Sequence, residues 1–296
     1  RRAALEAGDI QAYAGPADSD LVDFLADDNV NVYQSGLGGN EFILMPNLSA
    51  APLDDVRIRR ALMHAIDRDL LIDTFRSGLT EKASSLFEST SRWYVETDYP
   101  DFDMAEAQRL VAEYEAENGP VSFTMTSSNR SATVEDVEFM ISFWEEAGFE
   151  VELELIDPGS IVSRVITDNF QLMTWAQFGD ADPDSAYVFF HSQGGANFLN
   201  WSNHSIPELD AAWDAGRATD DFDTRAAAYA EIQQILADEV PLLWIDHLSG
   251  GEAVVSSSEI EGLNAARFPE GQEGAGVVNG SFHSYAGIFY VADAGE

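Results

Sequence analysis

The middle of the chain alternates between apolar runs of strand length and longer segments in which apolar residues recur with helical spacing. Continuous apolar runs or a period of two predict strands at 41–45, 121–125, 150–156 and 171–175. Segments with helical periodicity separate the last three of these strands, at 133–147 and 159–168. The order strand, helix, strand, helix, strand predicts an α/β fold with a mostly parallel, covered sheet.

A further helix is predicted between the first two of these strands. Asp54 or Asp55 is expected to cap it. Its apolar residues recur at i, i+4, i+7 and i+8 and form one face, at Ile58, Leu62, Ala65 and Ile66. Arg59, like the arginines at 57 and 60, is predicted to lie largely off that face.

The late part of the chain continues with helices and then strands. Ser205 and Glu208 have the spacing of a capping box, and Pro207 suits the first turn of the helix that follows. A second helix is predicted at about 224–239. Strands are predicted at 241–245, 252–256 and 287–291.

The charge of the chain excludes several partners. There are 53 acidic residues against 15 basic residues, for a net charge of −38. Such a surface repels the phosphates of nucleic acids and anionic lipids, so we expect neither as a partner. Because the acidic residues are spread along the whole chain, we interpret them as a solvated surface that favours solubility in high salt, not as a cation-binding face.

Patterns typical of enzymes and metal sites are missing from the sequence. It has no cysteine, no G-x-S-x-G, no HxxxH or HxH spacing and no carboxylate pair that stands out. Glu41 replaces the third glycine that a dinucleotide-binding loop needs after Gly36–Gly39. A calcium loop starting at Asp180 fails, because Ser185 and His191 occupy its sixth and twelfth positions. We therefore expect no catalytic residue, no cofactor and no metal.

Several segments carry a family resemblance in their order and spacing, from about residue 4 to residue 247. The most recognisable is 51–73, in which a proline precedes Asp-Val-Arg-x-Arg-x-Ala-Leu and then Ala-Ile-Asp-Arg. Segment 200–245 contributes Ser-Asn, Pro-Glu-Leu-Asp and Arg-Ala-Ala-x-Tyr, and 4–12 and 144–157 add a Gly-Asp pair and a helix leading into a strand. Together they resemble the peptide/nickel class of bacterial extracellular solute-binding proteins, family 5.

The resemblance implies a type II periplasmic-binding-protein-like α/β fold, with mixed sheets and flanking helices, in two lobes that close on a ligand. It implies that residues 1–39 are part of lobe I, 40–247 are lobe II and the ligand-binding α/β domain, and 248–296 return to lobe I. One lobe is then nearly complete and the other partial. We expect a C-terminal fragment, with the signal peptide on the missing part and hinge crossings at Gly36–Gly39 and near Asp246.

The strongest candidate for a binding site follows the strand at 171–175. Trp175, Phe178 and Asp180 stand where ligands bind in open α/β sheets, at the carboxyl end of a strand. They resemble the aromatic and acidic residues that hold the amino terminus of the ligand in the peptide-binding members, but the spacing differs from theirs. Asp180 as an amine anchor is therefore a hypothesis. For Asp182 and Asp184 we favour capping of the turn between them.

Other candidates lie in loops. Arg130 resembles an arginine that takes the ligand carboxylate in dipeptide binders, although Ser127 lies nearer to that position and a solvated loop arginine is the alternative. Asn197 and Trp201 have the chemistry of a cleft lining, and Trp201 suits core packing equally well. Trp93 and Tyr94 either cover a ligand or pack their own loop.

Two functions follow from these observations. The first is an extracytoplasmic, periplasmic receptor of an ABC importer, monomeric, that binds a peptide-like or other small polar solute and delivers it to the membrane permease. The second is a solute-sensing or scaffolding protein that kept the fold without import. The departure in the spacing of Trp175 and Asp180 leaves the second open.

Overall fold

The computed structural model describes residues 1–33, 40–178, 182–193, 199–248 and 253–261, and three short strands farther along the chain. The α-helices in these ranges are α1 (Arg2–Glu6), α2 (Asp18–Leu25), α3 (Val56–Ala65), α4 (Arg68–Phe75), α5 (Met104–Asn118), α6 (Ser131–Ala147), α7 (Ile161–Ile166), α8 (Tyr187–Phe190), α9 (Pro207–Arg217) and α10 (Phe222–Glu239). The strands are β1 (Ala12–Ala14), β2 (Val30–Tyr33), β3 (Asn40–Pro46), β4 (Ser122–Ser128), β5 (Glu150–Ile156), β6 (Leu172–Phe178), β7 (Leu243–Leu248), β8 (Val254–Ser257), β9 (Ile260–Glu261), β10 (Val277–Val278), β11 (Phe282–His283) and β12 (Phe289–Tyr290). Within the described ranges, no helix combines the length and the apolar character needed to cross a bilayer.

The main sheet has five strands in the order β5-β4-β6-β3-β7. Strand β4 is parallel to β5 and to β6, as the alternation of strands and helices predicts. Strand β3 is antiparallel to both of its neighbours, β6 and β7, so the sheet is mixed and not mostly parallel throughout. As a result, β4, β5, β6 and β7 all end at the same edge of the sheet, where β3 begins.

The helix boundaries follow local chemistry in most places. Asp55 caps α3 by accepting a hydrogen bond from the backbone N–H of Arg57 at 2.8 Å, as predicted. Helix α6 ends at Gly148, whose φ of 109° lies in the left-handed region that favours glycine. The capping box predicted at Ser205 is wrong: Ile206 precedes α9 and no side chain caps that helix, although Pro207 occupies its first turn.

Large aromatic residues fill the core between the main sheet and its helices. Trp144, Trp213 and Trp244 are fully buried. The indole N–H of Trp144 donates to the carbonyl of Leu62 at 3.0 Å, which fixes α6 against α3. The ring of Phe190 stacks against Trp213 and Trp244, with centroid distances of 5.8 and 6.2 Å. These contacts lock α8 and α9 against strand β7.

Arg59 is an exception to the predicted pattern, because it is buried with only 3% exposure. Its guanidinium donates to the carbonyls of Leu53 and Asp54 before α3, and to those of Glu239 and Val240 at the end of α10. The prediction that Arg59 lies away from the buried face is therefore wrong. The carbonyls at the end of α10 attract a positive charge, and sequence spacing within α3 carries no information about them.

The two ends of the chain meet in a separate layer. Strands β1, β8 and β2 form an antiparallel sheet in that order. Strand β8, late in the chain, therefore lies between two strands from the first 33 residues. Leu5, Leu21, Phe24 and Val255 form the hydrophobic cluster under this sheet, and Leu79 packs against it. The short strands β9 and β12 pair with each other, as do β10 and β11.

Candidate functional site

A pocket of about 390 Å³ opens at the edge where β4 and β6 end. Its lining comes from five elements, β3, β4, α6, α7 and β6, and consists of Phe42, Ser128, Arg130, Thr133, Ile161, Thr174, Trp175 and Ala176. The crossover from β4 passes into α6, and α7 precedes β6, so consecutive β-α units contribute to one wall. Two of the residues predicted from the sequence, Trp175 and Arg130, line this same pocket.

The floor of the pocket is held by a hydrogen bond between neighbouring strands. The hydroxyl groups of Ser127 on β4 and Thr174 on β6 lie 3.2 Å apart, and both residues are buried. Ser127, the alternative to Arg130 on grounds of position, is fully buried. Arg130 is exposed and lines the opening, so it is the residue of the two that a solute can reach.

The electrostatics around Arg130 favour an anionic group. Arg130 is the N-cap residue of α6, and no side chain caps this helix, so the free N–H groups of its first turn carry partial positive charge near the pocket. Arg130 differs from the other lysine and arginine residues that the structure describes. Each of the others contacts a carboxylate, a carbonyl or an aromatic ring, and Arg130 contacts none of these within the described residues. In a chain with a charge of −38, an unpaired guanidinium at a pocket is available for a ligand.

Trp175 supplies the aromatic wall. It is partly buried, and its ring packs edge to face with that of Trp201, with a centroid distance of 5.2 Å and an interplanar angle of 83°. An edge-to-face pair of this kind orients both rings, and Trp175 remains open to the pocket that it lines. Trp201, predicted either to line the cleft or to pack, thus supports the ring that lines the pocket.

Trp93 and Tyr94 lie elsewhere and do not line this pocket. Trp93 is buried against Phe222 and Tyr229 of α10, with centroid distances of 4.9 and 5.3 Å. Its carbonyl accepts a hydrogen bond from the amide of Gln233 at 2.8 Å. Tyr94 is partly buried against the same core. Of the two predicted roles, the contacts correspond to packing of the loop.

Three predicted residues cannot be placed in the pocket. Phe178 ends β6 and its backbone pairs with Asn40, but its side chain lies outside the described residues. Asp180 and Asn197 also lie outside them, as does the predicted crossing at Gly36–Gly39. Their roles stay predictions. Asp246, near which the second crossing was predicted, lies within β7.

Asp182 and Asp184 hold a turn, as predicted. The carboxylate of Asp182 accepts the backbone N–H of Asp184 at 3.0 Å and pairs with Arg225. Partial burial opposes ionisation of Asp182, but the Arg225 guanidinium and the backbone N–H lower its pKa below the ordinary value. Asp184 pairs with Arg217 at 3.1 Å. Both carboxylates pair with arginines of α9 and α10 and so anchor this turn to those helices.

His191, His204 and His247 are buried, and Tyr187 packs against the first of them. His191 is buried and stacks on Tyr187 with a centroid distance of 4.6 Å. Burial lowers the pKa of His204 and of His247 to about 4, so both are neutral at physiological pH. Throughout the described ranges, no group of three or more His, Asp or Glu side chains is arranged to hold a metal ion.

Sequence reasoning missed the other six lining residues, Phe42, Ser128, Thr133, Ile161, Thr174 and Ala176. Each is an apolar or small polar residue within a regular element, and nothing in its immediate surroundings distinguishes it from a core residue. A second depression of about 410 Å³ lies at the opposite edge of the sheet, where β4 and β5 begin, and includes Glu150 and Glu152. It holds none of the predicted residues.

The main sheet is mixed, and an open, partly aromatic pocket lies at the edge where β4 and β6 end. The chain belongs to the family described as bacterial extracellular solute-binding proteins, family 5, whose model of the middle region matches residues 1–198. Solute binding is the property that defines this family.

Known proteins agree with this assignment. The dipeptide-binding protein of Escherichia coli (strain K12) is 26% identical over 269 residues, which cover 86% of this chain and 49% of that protein. The dipeptide-binding protein from Pseudoalteromonas sp. SM9913 in complex with Met-Leu has a TM-score of 0.76 at 20% identity, with 98% of this chain and 56% of that chain covered. NikZ from Campylobacter jejuni in complex with Ni(L-His) has a TM-score of 0.71 at 18% identity, covering 88% and 55%. These likenesses establish the type II periplasmic-binding-protein fold, and the chain spans about half the length of the curated relatives it matches.

Proposed function

We propose that this chain is part of an extracytoplasmic solute-binding receptor of an ABC importer. Its solute binds against the pocket at Trp175, between lobe II (residues 40–247) and a lobe I to which 1–39 and 248–296 contribute. The observation that carries the proposal is an arginine without a partner among the described residues and a partly exposed indole, both in one pocket of a chain from this family. Closure of the lobes gives a form that docks on the permease, and no covalent chemistry takes part.

The pocket favours a small solute with a carboxylate and an apolar portion, such as a short peptide. Arg130 and the first turn of α6 supply positive potential, and Phe42, Ile161 and Trp175 supply apolar area. Dipeptides agree with this chemistry, and the E. coli relative is named for binding them. The complex of NikZ with Ni(L-His) makes metal chelates the second class of solute to test.

The experiment is isothermal titration calorimetry with dipeptides, the same dipeptides amidated at the carboxyl terminus, sugars and Ni(II)-histidine. We expect a free dipeptide to bind and its amide to bind more weakly. Arg130→Met removes a charged hydrogen-bond donor and should weaken binding of the free dipeptide by about 1.5–3 kcal/mol, or roughly 10- to 100-fold. The amide should be affected much less.

Arg109→Met is the matched control, because Arg109 is an exposed arginine on α5 that pairs with Glu106 and Glu113 away from the pocket. It should leave both affinities unchanged. Absence of binding across the whole panel, or equal losses in the two variants, would contradict the proposal. Neighbouring genes for a permease and an ATPase favour import over a sensing or scaffolding role.

A further inference from the structure

A buried ionic cluster lies directly behind one wall of the pocket. Arg76, just after α4, donates from Nε to Oδ2 of Asp246 on β7 at 2.7 Å. Its two terminal nitrogens donate to Oδ1 and Oδ2 of Asp136 on α6, at 3.0 and 2.9 Å. The Asp246 side chain is fully buried, and those of Arg76 and Asp136 are about nine-tenths buried. One guanidinium thus joins three elements with a fixed fork geometry.

This cluster touches the pocket through two residues. The guanidinium of Arg76 lies 5.6 Å from the ring centroid of Phe42, which lines the pocket. Asp136 is one helical turn after Thr133, which lines the pocket from α6. Arg76 contacts Phe42 on β3 and Asp136 on α6. Its position therefore influences how far Phe42 lies from the first turns of α6.

The cluster also reaches the layer formed by the two chain ends. Asp18, in the first turn of α2, is partly buried and interacts electrostatically with Arg76 and Asp136. Asp246 lies at the end of β7, immediately before the chain passes to β8 of that layer. Three carboxylates therefore surround a single guanidinium at the junction of the pocket with the other layer.

The remaining groups near Asp246 do not compensate its charge. Lys82 meets Asp246 only through the backbone, and its ammonium group pairs with Asp69 and Asp101 instead. His247 lies beside Glu41, with Nδ1 and Oε1 3.6 Å apart. In the part of the chain that the structure describes, Oδ1 of Asp246 accepts no hydrogen bond. Asp246 is consequently the carboxylate of the cluster best placed to take up a proton.

We propose that Arg76 is a positioning residue for the pocket at Trp175, and that protonation of Asp246 releases Arg76 from β7 and loosens the wall formed by Phe42 and the first turns of α6. With Asp246 ionised, Arg76 is held from two sides and the wall is rigid. With Asp246 protonated, the ion pair with Asp136 remains but the one with Asp246 is lost, and the guanidinium shifts relative to Phe42. This inference concerns the pocket wall and is independent of which solute binds there.

The electrostatic surroundings of Asp246 agree with this proposal. Burial raises the pKa of Asp246 to about 6, with Arg76 opposing this rise and Asp136 and Asp18 adding to it. Burial lowers the pKa of Arg76, but its hydrogen bonds to Asp136 and Asp246 and their negative charges outweigh burial and raise the pKa, so Arg76 stays charged. His247, with its pKa near 4, stays neutral in the same range. The loosening should therefore develop as the pH falls through about 6.

The test is quenching of Trp175 fluorescence by acrylamide, a neutral probe that needs no ligand. Trp93, Trp144, Trp213 and Trp244 are buried, so the accessible signal comes from Trp175 and from Trp201, which packs against it. The difference from the same measurement on Trp175→Phe reports this pair at the pocket wall. We expect the quenching constant of Trp175 to rise as the pH falls from neutral to about 5, with a midpoint near 6.

Two variants and a control make the result specific. Asp246→Asn should show the higher quenching constant at every pH, with no titration. Asp18→Asn lies at a partly exposed position, and it should shift the midpoint to lower pH, because a negative charge near Asp246 is removed. Asp69→Asn, at an exposed acid that pairs with Lys82, should behave like the parent.

Circular dichroism of each variant separates loosening from unfolding. A flat profile in the folded parent, the parental profile in folded Asp246→Asn, or quenching that falls at low pH would overturn the proposal. If Asp246→Asn does not fold, an unshifted midpoint in Asp18→Asn overturns it in the same way. A purely structural role for the cluster changes stability but produces no titration of Trp175 near pH 6.

Discussion

Replacement of Arg59 by methionine tests whether a buried guanidinium holds α3 to the end of α10. Arg59 donates from Nε to the carbonyls of Glu239 and Val240 at 3.2 and 3.0 Å, and from Nη2 to that of Glu239 at 2.6 Å. Nη1 donates to the carbonyls of Leu53 and Asp54, both at 2.9 Å. Methionine fills similar volume but leaves these carbonyls without a donor.

The expected magnitude follows from opposing effects. Hydrogen bonds to a charged group contribute about 1.5–3 kcal/mol each, and removal of one partner of a buried charged set costs about 3–5 kcal/mol in total. Burial lowers the pKa of Arg59 to about 10, which shows that the fold opposes its charge, so the five contacts do not add in full. We expect Arg59→Met to lower the free energy of unfolding by about 3–5 kcal/mol, and the melting temperature by roughly 10 °C.

Urea unfolding followed by circular dichroism at pH 7 and fixed salt measures this change. The control is Arg60→Met, since Arg60 contacts the carbonyls of Ala237 and Asp238 at 3.2 and 3.4 Å from a partly exposed position. The control should cost less than about 1 kcal/mol. A loss below about 1 kcal/mol for Arg59→Met, or equal losses in the two variants, would refute this reasoning.

Three further predictions concern stability. His204 is neutral in the fold, because burial lowers its pKa from 6.5 to about 4 while it contacts Phe190 and Ser202. Between these values the unfolded chain binds more protons, so stability should fall as the pH drops from about 6.5 to 4, by at most about 3 kcal/mol. Urea titrations of parent and His204→Gln at several pH values isolate this contribution, and parallel pH profiles would contradict it. The net charge of −38 predicts a melting temperature that rises markedly from low to molar salt as repulsion is screened; identical melting curves would count against this. A Cβ at Gly216 would lie 3.0 Å from Cζ of the buried Tyr229 ring, so Gly216→Ala should cost about 1–3 kcal/mol in urea unfolding, and an unchanged midpoint would show that the ring yields.

The sequence alone predicted most of the elements and the family. Apolar periodicity placed β4, α6 and β5 within a few residues of their observed ends, because that periodicity records which side of each element faces the core. Caps succeeded where the interaction is local, as at Asp55, and failed at Ser205, where Ile206 precedes the helix instead.

The candidate site was predicted less completely. Trp175 was chosen at the end of a predicted strand and Arg130 in the loop after another, both by their resemblance to residues of the peptide-binding members, and they line one pocket. Phe42 and Thr133 were not chosen, because an apolar or small polar residue in a regular element carries no sign of which cavity it borders. Trp93 shows the converse, since an aromatic residue in a long loop packs into the core.

The sequence by itself determined the features that depend on nearby residues, namely the periodicity of helices and strands and most helix ends. It also determined the overall charge and the ordered set of family segments. Only the tertiary structure decided the antiparallel placement of β3, the burial of Arg59 and the meeting of Arg76 with Asp136 and Asp246. A charged side chain can be buried only where carbonyls or carboxylates converge on it. For Arg59 the partners at the end of α10, and for Arg76 those on α6 and β7, stand 60 to 181 residues away along the chain, so only folding brings them together.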